Sequence, residues 1–194
     1  MFAQVIYARF LAPDQASKQK LLEEVISYTD QAGALINADP MAMFGRVYAK
    51  TRLGQELSIA VVIQRNYTVQ IPQEFDALLL KQPNQRYALT LYGAFHAGII
   101  HKAGKTLGHL AYGVNSDSME ELFTQTLSHT DDLVVSYYEY ANALNDVYGA
   151  SEQQKALAQL KIASELKPLN AIEALESARV QASLTRFELS IAQR

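Results

Sequence analysis

The sequence has no cysteine and no tryptophan, and only 5 prolines and 9 glycines among its 194 residues. Without cysteine there are no disulfides, no thiolate zinc sites and no cysteine nucleophile, although the compartment stays open. There is no basic excess either: 17 Lys and Arg stand against 20 Asp and Glu, a formal charge of −3. Nothing is left over to neutralise phosphates, so nucleic acid is not an expected partner. Long apolar runs are missing as well. The stretch Ile59-Ala60-Val61-Val62-Ile63 is far too short to cross a bilayer, and no membrane span is expected. The first residues, Met1 to Phe10, carry no basic region ahead of their apolar ones and do not read as a signal peptide. The expected location is the cytoplasm, or the periplasm where a signal peptide has been removed.

What is abundant is alanine (27) and leucine (24), within an apolar fraction of 49%. Both residues lose little on entering a helix, and the two strong breakers are scarce, so the composition favours a helical globular protein. Asp14 is positioned to cap a helix carrying Leu21, Leu22, Val25 and Ile26, and Gly33 to break it. Asp39-Pro40 is a cap followed by proline at the first helical position, opening a helix through Phe44, Val47 and Tyr48. Further starts are expected at Pro72, at Asn84, at Ser118 with Glu121 as a capping box, and at Asp131 or Asp132. Gly149 closes that last helix and Ser151 opens the next. Pro168 stops it, and Asn170 begins a final helix to about Ile191. The β-branched cluster Leu57–Ile63 with Tyr67–Ile71 is expected as helix then loop, a short strand being the competitor.

An internal period organises these elements. Phe44-Gly45, Tyr92-Gly93 and Tyr140-Ala141 fall 48 residues apart (93 − 45 and 141 − 93), each an aromatic followed by a very small residue. Phe75 and Phe123 share that step, as do Leu79, Leu127 and Leu175. A small side chain lets a neighbouring helix approach, and the aromatic beside it fills the adjacent gap. Recurrence suggests stacked helix pairs burying a continuous core.

On these residues the chain resembles the tetratricopeptide repeat (TPR) family, most clearly over 84–184. The best match is Tyr138-Glu139-Tyr140-Ala141-Asn142-Ala143-Leu144, then Gly149, Ala156, Leu160, Ala163 and Pro168. The family's repeat has a small residue in its first helix, glycine at the turn, small residues seven apart in its second helix, and a closing proline. Here the segments Gly54–Arg65 and Gly104–Asn115 are inserted, Leu78 and Thr126 replace small residues, and Asp131 stands where one unit would close on proline. The resemblance implies an all-α protein, an α-α superhelix (a TPR-like solenoid) of about three degenerate hairpin units with inserted helices. In that scheme residues 1–194 form a single domain: a helical cap at 1–38, units at 39–83, 84–131 and 132–168, and a capping helix at 169–194.

Catalytic patterns are largely missing. The histidines His96, His101, His109 and His129 show no metal-ligand spacing; the first two lie about 140° apart on a helix. Asp131-Asp132 and Glu120-Glu121 fit helix starts, where negative charge is favourable. Gly104-Lys105-Thr106 lacks the earlier glycine of a phosphate-binding loop, since that place is Ile99. No enzyme activity, cofactor or metal is expected. The resemblance implies instead that the inner faces of the first helices hold an extended peptide. On this chain those positions are Arg46 and Lys50 with Ala42 and Ala49, then Thr90, Ala94 and Ala97, then Tyr138, Asn142 and Asn145. The leading expectation is therefore a non-catalytic scaffold for a protein or peptide. Its alternative is a small-molecule-binding helical protein with a pocket near the inserts 54–66 and 104–115, where His96 lies among small residues. Self-association into a homo-oligomer is a third.

Overall fold

Helix starts in the first part of the chain are closed by their own neighbours in sequence. In this computed structural model, which describes residues 2–128 and 133–192, every described element is a helix and no strand occurs among the described residues. Helix α1 is Phe2–Phe10 and α2 is Gln15–Ala32. Asp14 accepts the Ser17 N–H at 2.7 Å at the start of α2, and Gly33, at φ 55°, ends it. A 3-10 turn over Gly33–Ala38 leads to α3, Pro40–Glu56, where Asp39 accepts the Met41 N–H at 2.9 Å. Ser58 caps the short α4, Ile59–Gln64, and α5 follows at Tyr67–Lys81.

Two expectations are corrected here. Tyr67–Ile71 is helix rather than loop, and α5 opens at Tyr67 rather than at Pro72. The chain reverses at Asn66, which adopts the left-handed conformation (φ 58°). A helical turn then places Tyr67, Thr68 and Ile71 on one face, where they are only 5%, 6% and 1% exposed. That burial outweighs the single hydrogen bond that Pro72, inside the helix, fails to donate.

The remaining helices are α6 (Arg86–Ala103), α7 (Lys105–Tyr112), α8 (Ser116–Leu127), α9 (Val134–Tyr148), a 3-10 turn at Gly149–Glu152, α10 (Gln153–Glu165) and α11 (Ala171–Ala192). Gly149 (φ 56°) closes α9 and Asn170 accepts the N–H groups of Ile172 and Glu173 at 3.0 and 3.1 Å, both as the sequence implies. Three starts move. Gln85, not Asn84, holds the Ala88 N–H at the head of α6. Asn115, not Ser118, caps α8, accepting the Ser118 N–H at 2.7 Å. A 3-10 turn carries Ser151, so α10 begins at Gln153. The expected start at Asp131 or Asp132 lies outside the described residues, as does His129.

The chain gathers into two compact units, one up to Ala88 and one from Leu89 onward. In the first, α3 packs against α1, α2 and α5, and Leu22, Val25, Val47, Leu53, Phe75 and Leu78 lose all solvent contact. In the second, α9 packs against α8, α10 and α11 around Ala141, Leu144, Ala156, Leu160, Ala163 and Val180, all at 0% exposure. Within the second unit Gly93 does what its small size suggests. A Cβ on it would lie 2.8 Å from the Phe123 ring of α8, so only glycine admits that ring. A long helix, a short one and a further helix follow one another in α3–α4–α5 and again in α6–α7–α8.

Candidate functional site

On α3, Arg46 and Lys50 stand one turn apart and reach the same partner on α5. Lys50 Nζ lies 2.7 Å from Glu74 Oε1 and 2.9 Å from Gln70 Oε1, and Arg46 Nε lies 3.3 Å from that same Glu74 oxygen. Two cations thus share one carboxylate oxygen, and Glu74 Oε2 is buried without a hydrogen-bond partner. Lys50 is 5% exposed and Ala49 fully buried, so the open part of this face is Arg46 with Ala42. The sequence did not flag Glu74. Its signal is the polar pair Gln70 and Glu74 at i, i+4, alongside the buried stripe Ile71, Phe75 and Leu78.

The equivalent positions on α6 are packed rather than open. Thr90 is 2% exposed and hydrogen-bonded to Ser136 Oγ at 2.8 Å, while Ala94 and Ala97 are 5% and 2% exposed. On α9 the expected anchor Tyr138 is also covered, at 8% exposure, with the Arg179 guanidinium of α11 5.3 Å over its ring. That cover comes from 41 residues downstream (179 − 138), beyond any local pattern. Asn142 is half-buried and donates its amide to the Tyr138 carbonyl at 2.9 Å, leaving its own oxygen as acceptor. Asn145 is exposed.

Tyr140, the packing aromatic, stacks on Phe123 with ring centroids 4.7 Å apart and donates its hydroxyl to Glu120. Burial and that carboxylate push its hydroxyl up to about 12, so it remains a hydrogen-bond donor throughout the ordinary pH range. Lys155 completes the group, 3.3 Å from Glu120 Oε2 and 5.1 Å over the Tyr140 ring.

His96, expected beside a pocket, is largely covered. It is 6% exposed, 5.0 Å from the Tyr92 ring, and its Nδ1 accepts the Asn115 backbone N–H at 3.3 Å, which places the ring proton on Nε2. Burial pulls its pKa down to about 4, so the ring is neutral and serves to pin the head of α8 to α6. His101 faces Asp146 at 3.9 Å. Among the described residues no three His, Asp or Glu side chains gather as metal ligands.

Beside the first insert the structure holds an open recess of about 560 Å³ between α2 and the start of α5. Ile26, Asp30, Gln31 and Tyr67 line it, with the ion pair of Glu23 and Arg65, 2.8 Å apart, at its edge. Burial raises the Tyr67 hydroxyl above its ordinary value, while the Arg65 guanidinium bonds to it. No family model, no curated protein and no solved structure matches the chain. No described helix is long and apolar enough to cross a membrane.

Proposed function

We propose that this chain is a non-catalytic scaffold of the TPR-like superhelical kind that holds a protein or peptide segment against its long helices. The observation that carries the reading is the pairing on α3: Arg46 and Lys50 converge on Glu74 Oε1, leaving one positive charge in excess at a half-buried surface. A guanidinium in that setting gains from a further acceptor, and a peptide carbonyl or carboxylate supplies one in the fork geometry arginine favours. Gln70 and Glu74 fix Lys50 and orient that face, so Arg46 makes the contact. Within the second unit, considered by itself, the Asn142 amide oxygen and the exposed Asn145 on α9 offer a main chain an acceptor and a donor. The 48-residue recurrence of aromatic-small pairs and the repeated long–short–long helix order support the repeat architecture.

The experiment is affinity capture of a partner followed by calorimetric titration with variants. Arg46→Ala is expected to weaken binding by about tenfold or more, and Asn142→Ala by less. Unaltered affinity in both variants rejects the reading.

A further inference from the structure

The face by which α11 meets the rest of its unit is mostly polar. Its buried positions among the described residues, Glu173, Glu176, Val180 and Ser183, follow the i, i+3, i+7, i+10 spacing of one helix face, yet three of the four are polar. Helix α10, packed beside it, buries Ala156, Leu160 and Ala163 instead. Taking two carboxylates out of water opposes docking, and Val180 with its half-buried neighbours Leu175 and Leu184 offsets only part of that. The polar groups are nevertheless aimed. Glu173 accepts the Val134 N–H at 2.6 Å and so closes the head of α9. Glu176 lies 3.6 Å from Arg179, whose guanidinium stands 5.3 Å over the Tyr138 ring. The dependence runs one way: α11 has its own cap in Asn170, whereas no side chain beside α9 caps it.

We propose that α11 is the resident occupant of a docking face on α9 and α10, and that a helix of a partner protein takes its place there. That helix carries a carboxylate in its first turn for the Val134 N–H, a cation for the Tyr138 ring, and a valine-sized residue two turns beyond the carboxylate. The head of α9 dictates the carboxylate. A helix without one buries the Val134 N–H with no acceptor, so it is rejected. This extends the scaffold reading to a second surface. The face lies wholly within the second unit and uses neither Arg46 nor Lys50, so the two contacts are tested separately.

A fluorescein-labelled peptide of residues 170–189 is the probe, titrated into the full chain and followed by anisotropy. Binding to the unaltered chain is weak because α11 is in place. Arg179→Ala in the chain loosens α11 and strengthens binding by about tenfold. Arg179 is half-buried, so that variant keeps its fold, which circular dichroism checks. The same peptide with Glu173→Ala binds at least about tenfold more weakly, although alanine favours the helix. Hydrogen exchange of the unaltered chain shows α11 opening as a unit ahead of α9 and α10. No binding to the Arg179→Ala chain overturns the proposal, as does a peptide held equally with and without Glu173. So does α11 exchanging only together with α9 and α10. A chain that dimerises by swapping α11 between copies also overturns it, because the occupant is then a second copy.

Discussion

The two units differ in how particular helix heads are closed. In the first, α2, α3 and α4 are each capped by the residue just before them, Asp14, Asp39 and Ser58. In the second, α9 has no such side chain at Leu133. Its first N–H, that of Val134, is taken at 2.6 Å by Glu173, a fully buried carboxylate from α11. The head of α8 has its local cap in Asn115, yet that residue's own N–H is held by His96 of α6. Local closure makes a helix end largely independent of its neighbours. Closure from a distance makes the docking of one helix a condition for ordering another.

The largest effect that would break this contrast is at Glu173. Glu173→Ala is expected to destabilise the protein by about 3 kcal/mol, because a fully buried hydrogen bond is lost and a helix end is left bare. Asp39→Ala, the local counterpart, costs about 1 kcal/mol. Equal losses in urea unfolding would erase the distinction. Next comes Gly93→Ala, expected to cost roughly 2 kcal/mol as the Phe123 ring is forced aside. Phe123→Leu in the same chain should recover part of that loss.

His96 gives an effect of similar size that appears only on acidification. Its folded pKa is about 4 against an ordinary 6.5, so the unfolded chain takes up the proton first. Stability is intact at pH 7 and falls as pH drops through this window, by about 2 kcal/mol at pH 5. His96→Gln should flatten that part of the curve of stability against pH, and an unchanged slope would remove His96 as its cause. The smallest effect is at Gly98, on the same helix as Gly93 but with open space where a Cβ would go. Gly98→Ala is expected to stabilise by about 0.5–1 kcal/mol through helix propensity alone.

Much of the helical plan was legible along the chain because its signals act within one turn. Asp14, Asp39, Gly33, Gly149 and Asn170 all do what their residue type and position imply. Pro72 misled because the burial of Tyr67, Thr68 and Ile71 outweighs a missing donor. The candidate site was legible in part. Arg46 and Lys50 were singled out by their register, but Glu74, 24 residues beyond Lys50, was not. Tyr138 was expected in the open and lies under Arg179.

Composition and periodicity were enough to establish an all-helical chain, its main breaks and the residues small enough to admit a neighbour. Helix geometry dictates what meets within four positions, and nothing more has to be known for that. Which faces end up covered is another matter, as are the neutrality of His96 and the sharing of Glu74 by two cations. All of these depend on how helices some 20 to 40 residues apart dock, because burial and partner distance exist only once those surfaces have met.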